Sequence, residues 1–152
     1  MLVACGQQTE TPRANEQPIR YTTLAGQTFD SMSLKGSVTL VNFWATSCTT
    51  CVQEMPMMVQ QFKTHQSRGY RHIAVAMDYD SSPFVRQFAS DRSLPFDVVH
   101  DTDGAIAKAF GNVKLTPTSF LIDRQGNVIK RYVGAPKEAE LSAAIAQLLA
   151  KS

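Results

Sequence analysis

The run Val38-Thr39-Leu40-Val41-Asn42-Phe43-Trp44 is followed, after three residues, by Cys48-Thr49-Thr50-Cys51, and no other feature constrains the chain as much. A β-branched and aromatic run of this length reads as a buried strand. Beyond Cys48, the residues Val52, Met55, Val59 and Phe62 fall on one stripe at helical spacing, so a helix is expected from Thr49 to Gln66. The two thiols therefore stand where a strand turns into a helix. Orphan backbone N–H groups and the positive end of the helix dipole gather at such a place, and both favour a thiolate over a thiol. The arrangement implies reversible thiol–disulfide exchange.

Other uses of the cysteines fit less well. A structural zinc site takes four ligands, and the chain offers one close pair, a distant Cys5 and three scattered histidines. A permanent disulfide between Cys48 and Cys51 would close a very small loop for little entropic gain. Two further readings stay open: a thiol oxidant on the same fold, and a non-catalytic module in which Cys48 and Cys51 hold Cu(I). For a copper chaperone, three residues between the cysteines and a companion histidine would be expected, and His100 alone is a poor substitute.

The segment Asn42-Phe43-Trp44-Ala45-x-x-Cys48-x-x-Cys51 resembles the active-site segment of the thioredoxin superfamily. Glu54-Met55-Pro56 behind it narrows the resemblance to the membrane-tethered bacterial TlpA/ResA-like branch. Far downstream, Thr116-Pro117-Thr118-Ser119-Phe120-Leu121-Ile122-Asp123 is similar to that family's cis-proline strand, and the resemblance extends from about Ile19 to the C-terminus. It implies a thioredoxin-like α/β three-layer sandwich with a mixed central sheet, an N-terminal β extension and a central inserted helix.

Composition agrees with a single domain. With 152 residues, 43% of them hydrophobic, the chain can bury one substantial core. A net charge of +2 with 18% charged residues provides no basic patch for a phosphate backbone, so nucleic acid is not an expected partner. At the N-terminus, Leu2-Val3-Ala4-Cys5-Gly6 resembles the lipobox that ends a bacterial lipoprotein signal peptide. Gln7 to Pro18 is polar and proline-containing, as a flexible tether would be. The expected organisation is a lipobox remnant and tether over residues 1–17 and a thioredoxin-like domain over 18–152. Cys5 would be the lipid anchor, on the extracytoplasmic face of a bacterial envelope, which accounts for the odd cysteine.

Local signals place the remaining elements. Ala25-Gly26-Gln27 reads as a hairpin turn, and His72 to Met77 as a second buried strand. Pro56 is expected to kink the first helix. Ser82-Pro83 supplies a helix cap and first residue, Pro95 to His100 a short strand, and Ala105 to Phe110 a short helix stopped by Gly111. Thr118 to Ile122 and Val128 to Val133 flank a turn, and Pro136 opens a last helix with Leu141, Ile145 and Leu148 on its buried stripe. His65 and His72 read as solvated surface in a helix-to-strand connection. Met55, Met57 and Met58 read as core packing or, for some of them, as an adaptable peptide-binding surface beside the cysteines. Asp101-Thr102-Asp103-Gly104 reads as a turn and helix cap, because its glycine falls two positions early for a calcium loop.

Roles follow from position and from the resemblance. Cys48 has the less hindered sulfur and should attack, while Cys51, one turn deeper, should resolve the mixed disulfide. That step releases a proton, and Glu54, three residues after Cys51, matches the buried glutamate of the TlpA/ResA-like pattern. In thioredoxin an aspartate occupies the strand position held here by Asn42, which cannot take a proton. The resemblance further implies a cis Thr116–Pro117 bond facing the CxxC, with the backbone of Thr116 offered to an incoming peptide and Trp44 shielding the site's edge. Ser47 and Thr49-Thr50 depart from the thioredoxin pattern and bring no positive charge, which leans toward a reductant. A peroxiredoxin would need Pro and Thr where Val41 and Ala45 stand. The expected partners are disulfide-bearing exported proteins, apocytochromes c among them, and a membrane reductase of the DsbD/CcdA kind. No cofactor and no metal are expected, and the protein is expected to be a monomer.

Overall fold

The computed structural model describes residues 17–151. A hairpin of β1 (Arg20–Thr22) and β2 (Thr28–Asp30) turns at Gly26, whose φ of +84° lies in the region that favours glycine. A 3-10 turn over Ser31–Leu34 follows, its first N–H groups received by the Asp30 carboxylate. The chain then alternates strand and helix through β3 (Val38–Trp44), α1 (Thr49–His65), β4 (Tyr70–Ala76), α2 (Ser82–Asp91), β5 (Asp97–His100) and α3 (Ala105–Ala109). It closes with the hairpin β6 (Thr118–Ile122) and β7 (Val128–Val133) and with α4 (Glu138–Leu149).

The five longer strands form one mixed sheet in the order β5-β4-β3-β6-β7. β3 pairs parallel with β4 and antiparallel with β6, so it is central and buried along its whole length. Alternation along the strands divides the core. Val38, Leu40 and Trp44 of β3 face α1 and α4, with Met55, Met58, Leu141 and Ile145 as partners. Val41 and Phe43 face the opposite layer, where Ile106 and Ala107 of α3 and Tyr21 of the front hairpin pack. This is the three-layer architecture that the sequence implies.

The front hairpin covers the β5 edge: Leu24 N–H donates to Val98 C=O at 3.0 Å, and Thr23 bridges antiparallel to Val99. Gln17 to Thr22 consequently run back along β5 and line a cleft against His100, Asp101 and Thr102. At the other edge, Lys130 lies over Tyr132 and Arg131 over Phe120.

Arg124, in the turn between β6 and β7, ties distant segments together. Its guanidinium donates to the carbonyls of Gly36 (2.6 Å), Leu149 (3.0 Å), Lys151 (3.1 Å) and Arg68 (3.2 Å). The Leu149 carbonyl closes α4, where a positive charge also meets the helix dipole favourably. Gly69 (φ +98°) sits against this group, and a Cβ there would meet Arg124 Nη1 at 2.9 Å.

Several expectations are corrected. His72 is not solvated: β4 begins at Tyr70, two residues before the expected start, and the alternation carries the imidazole inward to 1% exposure. Its ring centroid lies 4.1 Å from that of Phe96, neither ring nitrogen has a hydrogen-bond partner, and burial pushes its pKa down to about 3. His65 is buried as well, at the end of α1, and burial followed by the nearby Arg68 charge lowers its pKa. The residue capping α2 is Ser81 and not Ser82, and α4 begins at Glu138, two residues after Pro136. α1, with Pro56 inside it, ends at His65, one residue before the expected Gln66. The stretch Asp101 to Gly104 is the expected turn and helix cap: Gly104 is the N-cap of α3, and the buried Asp101 carboxylate accepts from Ile106 N–H and Ala107 N–H at 3.0 and 2.9 Å.

Candidate active site

Pairing register brings the pieces of the site to one end of the sheet. β3 ends at Trp44 opposite Ala76 of β4, and Ala76 stands opposite His100 of β5. On the other side Phe43 is opposite Thr118, the first residue of β6. The CxxC that follows β3 and the Thr116–Pro117 pair that precedes β6 therefore meet at the same edge, although 63 residues lie between Cys51 and Leu115. The segments at this end also carry Tyr79, Leu115 and Val133, all exposed apolar side chains.

Cys48 is the N-cap of α1, with an extended backbone (φ −89°, ψ 104°), and its Sγ accepts from Cys51 N–H at 3.2 Å. Here the two cysteines are joined as a disulfide, Cα to Cα 5.2 Å. Their exposure differs. Cys51 is fully buried against the cluster of Trp44, Met55 and Met58, whereas Cys48 is half-buried and Thr49 and Thr50 are exposed. Of the two sulfurs, that of Cys48 is on the more accessible residue.

Glu54 is 5% exposed, one turn beyond Cys51. Asn42 Nδ2 donates to its Oε1 at 3.0 Å and to Ser119 Oγ at 3.0 Å, so one amide links β3, α1 and β6. Burial pushes the Glu54 carboxyl up to about 7, against the opposing effect of the Asn42 hydrogen bond. A carboxyl with that proton affinity can exchange a proton near neutral pH. Ser119 is a member of this network that sequence reading misses. Its signal is a small polar residue inside an apolar strand, legible only once the register opposite Asn42 is known.

The Thr116–Pro117 bond is cis. Thr118 Oγ1 donates to Leu115 C=O at 2.6 Å and Gly134 N–H to Pro117 C=O at 2.8 Å, which hold the turn from both sides. The backbone N–H and C=O of Thr116 have no partner among the described residues. Trp44 corrects an expectation: it is fully buried against Phe88, centroids 5.0 Å apart, so its indole packs beneath the site and offers no surface to a substrate. Cys5 lies outside the described residues. Among the described residues no group of three or more His, Cys, Asp and Glu side chains converges to hold a metal ion, and no helix is long and apolar enough to cross a membrane.

A mixed sheet with a strand-to-helix dithiol, a buried carboxyl behind it and a proline turn at the same edge defines a thioredoxin-like thiol–disulfide oxidoreductase. The chain belongs to the Redoxin family, whose profile matches residues 10–148. It is similar to the thiol-disulfide oxidoreductase ResA of Bacillus thuringiensis subsp. konkukian, with 35% identity over 120 residues, covering 79% of this chain and 68% of that one. Among solved structures, a protein described as a thioredoxin from Neisseria meningitidis superposes with a TM-score of 0.84 at 37% identity, covering 90% of each chain. A thiol:disulfide interchange protein of Chlorobium tepidum TLS gives 0.77 at 33% identity, covering 90% of this chain and 99% of that one.

Proposed function

We propose that the protein is an envelope-tethered disulfide reductase in which Cys48 attacks, Cys51 resolves and Glu54 handles the proton. The Cys48 thiolate attacks a substrate disulfide, forming a Cys48–substrate bond while the other substrate sulfur leaves as a thiolate and takes up a proton. Cys51 loses its proton and attacks Cys48 Sγ, which regenerates the Cys48–Cys51 disulfide and frees the second substrate thiol. Two electrons pass to the substrate in all. The observation that carries this reading is the contrast along the start of α1: a partly buried cysteine on the N-cap, a fully buried one behind it, and a buried carboxyl with a pKa near 7 one turn further.

The unpaired Thr116 backbone supports strand-like pairing of a substrate segment across the site. The exposed Tyr79 and Leu115 supply apolar contact for a polypeptide. Substrates are then disulfide-bearing exported proteins, apocytochromes c among them, and a membrane reductase of the DsbD/CcdA kind returns the electrons. Residues 1–17 serve as a tether from a lipidated Cys5 on the extracytoplasmic side, and 18–152 as the catalytic domain, a reading supported by the lipobox-like Leu2-Val3-Ala4-Cys5.

The test is an equilibrium redox titration of the Cys48/Cys51 pair in a Cys5→Ser background. A midpoint near or below about −230 mV supports a reductase, and one near −120 mV makes the protein an oxidant. A pair that fails to cycle, with tight stoichiometric Cu(I) binding by the reduced protein, would replace the enzymatic reading with a metal-binding one.

A further inference from the structure

The loop that delivers Cys48 to its helix is gripped by one side chain from another part of the chain. Between the end of β3 and the first cysteine lie Ala45, Thr46 and Ser47. Met77 N–H donates to Trp44 C=O at 3.0 Å, where β4 ends beside β3, and Cys48 N–H donates to Ala45 C=O at 3.1 Å. Between these points Thr46 gives both of its donors to Asp80, in the connection from β4 to α2. The Thr46 N–H reaches Oδ2 at 2.6 Å and the Thr46 hydroxyl reaches Oδ1 at 2.7 Å. Ser81 N–H adds a third donor to Oδ1 at 2.8 Å. These are charge-assisted bonds at the short end of their range, roughly twice as strong as neutral ones.

We propose that Asp80 is the positioning residue for Cys48, holding the Ala45–Cys48 turn so that the sulfur stays on the N-cap of α1 after the disulfide opens. The inference rests on the reading of Cys48 as the attacking thiol. In the oxidised protein the S–S bond itself anchors Cys48 to the helix. Once two electrons and two protons have converted it to a dithiol, that constraint is gone. What then keeps Cys48 extended is Val52 N–H on its carbonyl behind and, in front, the turn that Asp80 clamps. A sulfur held on the N-cap receives Cys51 N–H and the helix dipole, both of which favour its thiolate. The other titratable side chains of these two segments, Cys51, Glu54, Lys63 and His65 on α1 and Asp78 and Tyr79 beside Asp80, make no side-chain hydrogen bond to Thr46 or Cys48.

Each carboxylate oxygen accepts from a backbone N–H, Oδ2 from Thr46 and Oδ1 from Ser81, so asparagine cannot substitute: in either orientation its amide nitrogen would point a donor at one of these two N–H groups. Charge alone makes the opposite prediction, because removing a negative group near a thiolate favours that thiolate.

The experiment is the rate of iodoacetamide alkylation against pH for the reduced protein in a Cys5→Ser background, with the labelled cysteine mapped. In this reaction the thiolate displaces iodide and an S–C bond forms. Labelling is expected at Cys48; labelling at Cys51 would overturn the assignment of the attacking thiol and this inference with it. Asp80→Ala and Asp80→Asn are expected to slow Cys48 alkylation about threefold or more below its midpoint, half a decade of thiolate fraction. Thr46→Val should move the same way by less, and Thr46→Ser, which keeps both donors, should match the parent. Equal or faster alkylation in the folded Asp80 variants overturns the proposal, even with a lowered melting temperature, since that pattern is a merely structural role. If the Asp80 variants do not fold, Thr46→Val decides, and an unchanged rate there overturns it.

Discussion

Asn42 Nδ2 donates to Glu54 Oε1 across 3.0 Å, and this bond joins the middle of the central strand to the active-site helix just behind the two sulfurs. The same amide donates to Ser119 on β6, so the carboxyl is gripped by a residue that cannot itself take its proton. Glu54 is thereby the one carboxyl of this network, and burial decides its proton affinity.

Glu54 makes stability fall with rising pH. Its folded-state pKa of about 7 lies above its ordinary value of 4.5, so between these values the folded protein holds a proton that the unfolded chain has released. The stability that Glu54 contributes is fully present below about 4.5 and is lost as pH rises through 7, by at most about 3 kcal/mol. Glu54→Gln, whose amide oxygen still accepts from Asn42, should therefore leave the oxidised protein unchanged at pH 4.5 and stabilise it at pH 8. Denaturant melts at the two values check this, and equal effects at both would refute the buried-acid account.

The same substitution should flatten the pH dependence of mixed-disulfide resolution. Stopped-flow measurement of the second exchange step, with a small-molecule disulfide as substrate, gives the profile. A profile retaining its slope near neutrality would remove Glu54 from proton handling.

Exposure separates the cysteines. Cys51→Ser should accumulate a covalent Cys48–substrate adduct visible by intact mass, whereas Cys48→Ser should form no adduct and lose turnover, because the remaining sulfur is fully buried. A stable adduct on Cys51 in the second variant would reverse the two roles.

His72 acts in the opposite direction to Glu54. Its folded pKa of about 3 lies below the ordinary 6.5, so as pH falls through 6.5 toward 3 the unfolded chain takes up a proton that the folded protein refuses, and stability is lost. His72→Leu removes two unpaired ring nitrogens from the core and should stabilise by about 1–3 kcal/mol at pH 5. The gain should shrink at pH 8; a pH-independent change would mean that packing and not protonation decides.

Arg124→Ala removes donors to four backbone carbonyls in three regions of the chain. A loss of about 2 kcal/mol is expected, reduced from the sum of the bonds by the group's partial exposure. The redox midpoint should not move, since none of the four carbonyls belongs to the segments around the CxxC.

The site was legible in the sequence where chemistry and local periodicity coincide. Cys48, Cys51 and the strand before them announce themselves, and Glu54 follows from the turn of the helix. Residues whose roles depend on long-range register stayed hidden. His72 sits two residues into β4, and an apolar run counted from the wrong start leaves it outside the core. Trp44 ends an apolar strand, and nothing local says whether the indole turns inward. Asp80 and Ser119 are ordinary polar residues until β4 and β6 are laid beside β3 and each meets its partner, Thr46 or Asn42.

The path of Gln17 to Thr22 along β5 sets where the chain enters the domain. Because this stretch runs antiparallel to β5, the chain joins the fold beside His100 and Asp101, at the sheet end that also bears Cys48. With the anchoring at Cys5 proposed above, twelve residues of leash lead up to Gln17, spanning about 40 Å at full stretch. The catalytic end would then look toward the surface it is moored to, within a working radius of roughly one domain diameter. Partners embedded in or lying on that surface would be met far more often than those diffusing beyond it.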